Sequence, residues 1–248
     1  VLYAGGRVKH MTLEMNAILG RHFDSVAPSL ARQKSRVLVA RGPLPAEETF
    51  PRREYSEELG LWVVAHGGVF AGTRLDLGTR LLLSVLDDAV PDAADIVDLG
   101  CGSGILAASL ARSRPGARVT ATDQSWAAAA SATATMLAND LDVTVVRDLG
   151  LATRADASAD LVVLNPPFHS GSAVDSGLAR ALFEDAARVL RPGGELWTVF
   201  NSHLGYRPTL QRTVGPTREV TRNPKFTVTA SRSTTAGGTM AIDEIRGM

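Results

Sequence analysis

From Leu77 onward the chain alternates helix-like stretches with short apolar, strand-like runs. The pattern predicts helix Leu77–Asp88, strand Asp95–Leu99, helix Ile105–Arg112, strand Arg118–Thr122, helix Trp126–Asn139 and strand Val143–Arg147. Strand Leu161–Leu164, helix Leu178–Leu190 and strand Glu195–Asn201 follow. Repetition of this kind builds βαβ units, and therefore a parallel sheet covered by helices on both faces. The end departs from it. A helix Tyr206–Val214 leads to strand-like Arg218–Thr221 and Lys225–Ala230, and the Arg222-Asn-Pro connection is short enough for an antiparallel hairpin. From Ser231 the chain is rich in Ser, Thr and Gly, and a partly mobile tail is expected.

Ahead of this region the pattern is weaker. Met11–Phe23 reads as a helix and Arg36–Ala40 as a strand, too little for an independent core. Gly42–Pro51 reads as a linker, because closely spaced prolines disfavour both helix and ladder. Arg53–Glu58 and Leu61–His66 flank Gly60 as a hairpin does.

Composition narrows the class without naming a ligand. With 248 residues, 45% of them hydrophobic, the chain can bury one large core. No apolar run reaches the roughly 18 residues of a membrane span and no signal-peptide core opens the chain, so a cytoplasmic protein is expected, with no membrane partner. The single cysteine, Cys101, excludes an intramolecular disulfide and a cysteine metal cluster, and no metal is expected. Basic and acidic residues balance at 26 each, so any nucleic-acid surface must be local. Arg212, Arg218, Arg222 and Lys225 form such a local excess, readable as a phosphate-facing surface or as an ordinary solvated edge.

Asp95-Ile-Val-Asp-Leu-Gly-Cys-Gly-Ser-Gly104 is a strand running into three alternate glycines, Gly100, Gly102 and Gly104, and then a helix. Glycines at this turn let backbone N–H groups approach a ligand at the carboxyl edge of the sheet. Asp123 ends the next strand, where it accepts hydrogen bonds from ribose hydroxyls or caps the following helix. Asp148 ends the third, as a ligand contact or a turn former. A dinucleotide fingerprint would place its last glycine at position 105, which is Ile105. Asp98 would repel a pyrophosphate but attract an ammonium. S-adenosylmethionine offers an ammonium, a ribose diol and an adenine, and has no phosphate.

After the apolar run Leu161–Leu164 comes Asn165-Pro-Pro-Phe168, which cannot continue a central strand, since proline has no N–H for the ladder. Together with the glycine loop, Asp123 and Asp148, this tetrapeptide resembles that of class I methyltransferases acting on exocyclic or amide nitrogen. Gly68-Val-Phe-Ala71, Leu75-Asp-Leu-Gly-Thr-Arg-Leu-Leu82, Asn165-Pro-Pro-Phe-His169, Asn201-Ser-His-Leu-Gly-Tyr206 and Lys225-Phe226 narrow the resemblance. They are similar to phrases of the guanine-N2 methyltransferases that modify the RNA of the small and large ribosomal subunits, known as methyltransferases C and G respectively. The resemblance implies a doubly wound, mostly parallel, seven-stranded Rossmann-like sheet with an antiparallel C-terminal hairpin. It implies a remnant of a degenerate methyltransferase-like domain and linker at 1–50, a catalytic domain at 51–232 and a tail at 233–248. It further implies S-adenosylmethionine as cofactor and ribosomal RNA or a ribosomal subunit as partner.

On this reading the Asn165 side-chain oxygen and the Pro166 carbonyl hold the two hydrogens of an amine whose lone pair is otherwise delocalised into the base, and Phe168 stacks on that base. Phe70 covers the cofactor or packs in the core, and His169 stays outside the catalytic set. The plainer alternatives are a turn-forming Asn165 and a core Phe168. Methylation of a protein glutamine amide would use the same tetrapeptide, and a non-catalytic RNA- or ribosome-binding module would share the fold.

Overall fold

The computed structural model describes residues 1–166 and 173–234, the side chains of 173–176 excepted. The chain falls into two units, Val1–Thr49 and Phe50–Met248. In the first, β1 (Leu2–Arg7), α1 (Leu13–Leu19), β2 (Phe23–Pro28) and β3 (Ser35–Pro43) form an antiparallel sheet of order β1-β3-β2 with its helix. The predicted helix Met11–Phe23 is therefore shorter. It stops at Gly20, whose N–H bonds back to Asn16 and Ile18, and Phe23 already belongs to β2. The predicted linker also begins later, since Gly42 and Pro43 close β3 and Pro43 pairs with Phe23. A proline is tolerated there because a strand end needs no further N–H.

The second unit opens with a hairpin, β4 (Arg52–Ser56) and β5 (Leu61–Ala65), then α2 (Leu77–Leu83), β6 (Asp95–Leu99), α3 (Ile105–Ser113), β7 (Arg118–Asp123), α4 (Trp126–Ala138) and β8 (Val143–Arg147). It continues through β9 (Ala159–Leu164), α5 (Ala173–Val189), β10 (Leu190–Asn201), α6 (Arg207–Thr213), β11 (Thr217–Arg222) and β12 (Phe226–Arg232). Among the described residues, seven strands join in the order β11-β12-β10-β9-β6-β7-β8. β6 to β10 run parallel, and β12 is antiparallel to both β10 and β11. This is the doubly wound, mostly parallel sheet with an antiparallel C-terminal hairpin. The predicted helix end at Leu190 is already strand, and Ser231 and Arg232 stay in the ladder opposite Leu196 and Glu195 instead of beginning a tail. The tail beyond 234 lies outside the described residues.

Each face of the sheet has its own core. Ile96, Leu161, Val163, Trp197, Val199 and Val228 pack with Leu82, Leu106, Leu110 and Met136 from α2, α3 and α4. Val97, Leu99, Val162, Leu164 and Leu196 pack with Phe183, Ala186 and Leu210 from α5 and α6. Each fully buried Leu or Val stabilises the fold by about 1.5–3 kcal/mol relative to exposure. At the amino edge Asp95 accepts hydrogen bonds from both Arg118 and Arg191, and Asp160 accepts from Arg191 and the N–H groups of Ala94 and Asp95. No helix among the described residues is long and apolar enough to cross a membrane.

The hairpin's free edge is satisfied by a helix. Ser131, Thr135 and Asn139 recur every four residues along one side of α4 and its C-cap. Asn139 accepts from the Trp62 N–H and donates to the Trp62 carbonyl, Thr135 does the same for Val64, and Ser131 accepts from the His66 N–H. Three side chains thus stand in for a neighbouring strand. Thr135→Val keeps the shape and strands both backbone groups of Val64, so it should destabilise the protein by about 1–3 kcal/mol. Denaturant unfolding checks this, and an unchanged midpoint would show the stripe to be incidental.

Candidate active site

β6 and β9 leave the sheet on the same rung. Leu99 and Leu164 are their last paired residues, after which Gly100 turns away at φ 73° and Asn165 leads into the prolines. β6 continues toward β7 and β9 toward β10, on opposite sides, so the two carboxyl ends flank the point where strand order reverses and a crevice opens.

The glycine loop is fixed from within. Gly100 and Cys101 both donate to the Thr122 carbonyl (2.8 and 2.9 Å), Gly104 donates to the Cys101 carbonyl (2.8 Å), and Gly102 donates to Asp123 Oδ2 (3.1 Å). These N–H groups are therefore not presented to a ligand, contrary to the expectation from sequence. The loop uses these amides to hold its own shape. What Gly100 and Gly102 offer is room, since an added Cβ at either meets nothing within 4 Å. Gly104 has a packing role, because a Cβ there would lie 2.8 Å from Met136 Cε and 3.1 Å from Ala132.

Asp98 is buried. Its Oδ2 accepts from the Ala107 N–H at the start of α3 (3.0 Å), while Oδ1 has no donor among the described residues. Burial pushes its carboxyl up to about 7, with the Ala107 N–H opposing and Asp123 adding to the rise. Burial, Asp98 and Asp123 likewise push the Cys101 thiol up, so it stays protonated. Asp123 accepts from Gly102 and from the Ser125 N–H (2.9 Å), while the cap of α4 itself is Ser125, whose hydroxyl accepts from Ala128. Both Asp148 oxygens serve their own turn, taking the N–H groups of Leu149 and Thr153 and the Thr153 hydroxyl. Burial alone would raise the Asp148 carboxyl, but these donors outweigh it and hold the group below the usual carboxylate range. The turn-forming alternative thus describes its contacts. Asp148 also borders a cavity of about 430 Å³ with Gln124, Arg147 and Leu149, three residues that sequence reasoning missed. A larger cleft, about 600 Å³, lies between α5 and α6 on the other side of the sheet from Asn165.

The Asn165 amide is oriented by α2. Its Nδ2 donates to Thr79 Oγ1 (2.9 Å) and to Asp76 Oδ2 (3.3 Å), and Asp76 also accepts from the N–H groups of Gly78 and Thr79 as the N-cap of that helix. An ionised carboxylate can only accept, which fixes the NH₂ toward Asp76 and turns the carbonyl oxygen the other way. That oxygen, Asn165 Oδ1, is buried with no donor among the described residues. Asp76 and Thr79 were not singled out from sequence, although an Asp directly before a helix is a capping signal. Pro166 is buried, and Phe168 and His169 lie outside the described residues. Phe70 is 65% exposed, which corrects its core-packing alternative. Of the arginine-rich run, Arg218 pairs with Glu195 (3.2 Å) and lies over Trp197, Arg222 faces Glu219 at 4.0 Å, and Lys225 lies over Phe226. Among the described residues no group of three or more His, Cys, Asp or Glu is placed to hold a metal ion.

A doubly wound sheet with a glycine loop after its first parallel strand, acidic residues at the next strand ends and an asparagine before proline at the fourth is a methyltransferase-type α/β domain. The model of the methyltransferase small domain family matches residues 60–230, and the chain belongs to that family. It is 38% identical over 230 residues to the ribosomal RNA large subunit methyltransferase G of Pseudomonas aeruginosa strain UCBPP-PA14, covering 91% of this chain and 61% of that protein. It is 39% identical to the protein of the same name from Streptomyces coelicolor, covering 92% and 63%. Among solved structures, the T. thermophilus 16S rRNA N2 G1207 methyltransferase in complex with AdoMet and guanosine superposes with a TM-score of 0.80 at 26% identity, over 94% of this chain and 64% of that one. The chain thus spans about three fifths of the length of the curated relatives it matches.

Asp98 gives a pH dependence of stability. Its folded-state pKa lies above the ordinary carboxyl value of 3.8, so the folded state holds more protons than the unfolded one up to about pH 7. Stability contributed by the neutral acid is complete below about pH 4 and falls as pH rises toward 7. The low-held carboxyls of Asp95, Asp148 and Asp160 have the opposite sign and lose their contribution only as pH falls below about 4. The unfolding midpoint should therefore decline from pH 5 to 7.5, and Asp98→Asn should flatten that slope. Parallel slopes would place the titration elsewhere.

Proposed function

We propose that the chain transfers a methyl group from S-adenosylmethionine to the exocyclic N2 amine of a guanine in ribosomal RNA, in the cytoplasm, on free RNA or a ribosomal subunit. The observation that carries this is Asn165 Oδ1, a buried acceptor with no donor among the described residues, on an amide held by Asp76 and Thr79 at the end of β9. The names of the relatives supply the substrate class.

The residues present fit the cofactor. Gly100 and Gly102 leave space for close approach, Asp98 Oδ1 suits an ammonium, Asp123 retains lone pairs for ribose hydroxyls, and Asp148 with its cavity suits the adenine end. When bound, S-adenosylmethionine supplies an electrophilic methyl on a sulfonium. Asn165 Oδ1 and the Pro166 carbonyl accept the two amine hydrogens and orient the nitrogen lone pair. Phe168 gives the base a stacking face, and the exposed Phe70 closes over the cofactor. Proline keeps the accepting carbonyl out of the ladder. The rate gain is positional, since well-oriented groups reach effective molarities of about 10⁵ M or more.

The test is methyl transfer from labelled S-adenosylmethionine to deproteinised ribosomal RNA and to ribosomal subunits, with nucleoside digestion to identify the product. N2-methylguanosine is expected, and absence of transfer to either substrate would sink the reading. Asn165→Ala should lower transfer about 100-fold or more while leaving cofactor affinity within about twofold, because its side chain faces the amine and not the methyl donor. Asp123→Ala should do the reverse, weakening cofactor binding by about 1–3 kcal/mol in calorimetry. Unchanged affinity in that variant would confine Asp123 to fixing the loop.

A further inference from the structure

Asn201 ends β10, the strand next to β9. Thr198 lies opposite Leu164 in the parallel register, so Asn165 extends level with Val199 and Asn201 stands two residues further out on the same face. Strands about 4.8 Å apart with a rise of about 3.3 Å per residue put the two asparagine Cα atoms about 8 Å apart, close enough for their side chains to converge on one small planar group. Asn201 Oδ1 is buried and, like Asn165 Oδ1, has no donor among the described residues. Across the ladder Asn201 pairs with Phe226, whose ring would lie 3.3 Å from a Cβ at Gly78 in the first turn of α2. The helix turn that holds Asn165 therefore also packs on the ring of Asn201's cross-strand partner. The other polar atoms at this edge that have no partner among the described residues, Asp98 Oδ1 and Thr122 Oγ1, lie on β6 and β7, on the cofactor side of β9. Asn201 lies on the opposite side.

We propose that Asn201 reads the target base, its Oδ1 accepting the N1–H of guanine while Asn165 Oδ1 accepts a hydrogen of the adjacent N2 amine. This rests on the guanine reading of the site. Two acceptors side by side match guanine, which presents N1–H and N2–H donors next to each other on its Watson–Crick edge. Adenine and cytosine present a bare ring nitrogen at the corresponding place, and uracil has no amine beside its N–H. Enzymes that act on a base taken out of its stack read it by hydrogen bonds along that edge. A ring nitrogen with a lone pair instead of a hydrogen would face the Asn201 oxygen with no bond to make.

The probes are guanosine and 2-aminopurine riboside, titrated into the 248-residue chain with S-adenosylmethionine present. Both carry the 2-amine, and only guanosine has N1–H. The wild type should prefer guanosine by about tenfold or more. Asn201→Ala should lose most of that preference by weakening guanosine alone, with 2-aminopurine riboside held within about twofold. Asn201→Asp, which keeps an acceptor in place, should retain the preference and covers the case that the alanine variant does not fold. An unchanged preference in Asn201→Ala, a parallel loss for both nucleosides, loss of the preference in Asn201→Asp, or no guanosine binding by the wild type would each overturn the proposal. Methyl transfer to ribosomal RNA separates the two levels. If wild type makes N2-methylguanosine but the nucleoside preference does not respond to Asn201, only the Asn201 assignment falls. If it makes none, the guanine reading falls and takes Asn201 with it.

Discussion

Everything at the site follows from β6 and β9 stopping at the same rung, Leu99 opposite Leu164. Two neighbouring central strands of a parallel sheet would ordinarily go on pairing while apolar residues last. Here the chain removes the means of pairing on both sides at once. Gly100 turns β6 away with a positive φ, and Pro166 leaves β9 without an N–H for either neighbour. Because the connections then diverge, the gap stays open. Asn165, the last residue before the break, is left with its side chain as its main polar group, and α2 takes hold of the amide through Asp76 and Thr79.

The polar atoms left over along this edge include two carboxamide oxygens, Asn165 Oδ1 and Asn201 Oδ1, which can only accept. With Asp98 Oδ1 and Thr122 Oγ1 they are buried without partners among the described residues, whereas the N–H groups of Gly100, Cys101, Gly102 and Gly104 are already bonded. A phosphate-binding loop has the opposite character, with free N–H groups pointing at the ligand. Each unsatisfied buried acceptor costs about 1–3 kcal/mol. An edge of this kind is complementary to a ligand rich in N–H and O–H donors, and an ammonium, a ribose diol and a guanine base are such donors.

How much of this could be read beforehand depended on whether the cause was local. β6 and β8 carry the bounds expected from sequence, Asp95–Leu99 and Val143–Arg147, because the first opens on Asp95 and is stopped by Gly100 and the second is closed by Arg147. β1 and β2 were missed, since Gly5 and Gly6 blank out one pattern and the second begins inside an apparent helical stretch. Residue types at strand ends were legible, and the structure brings Asp98, Asp123, Asp148 and Asn165 to one sheet edge. The groups that hold them were not. Thr79 is 86 residues from Asn165, and Thr135 is 71 from Val64. No periodicity links residues so far apart, and only the sheet order brings them together.

Those distant contacts make the site depend on an element that never reaches it. The β5 edge is tied to α4 through Ser131, Thr135 and Asn139, one side of a helix whose next face carries Ala132 and Met136. Ala132 and Met136 are what Gly104 packs against, so the height of α4 over the sheet sets where the glycine loop ends and α3 begins. The same helix starts at Ser125, whose N–H is held by Asp123, and Asp123 in turn holds Gly102. α4 therefore constrains the loop from both its middle and its start. A reaction that relies on positioning loses rate when the reacting groups shift by about 1 Å. The hairpin, although remote from Asn165, is part of what keeps the glycine loop and the amide in a common frame.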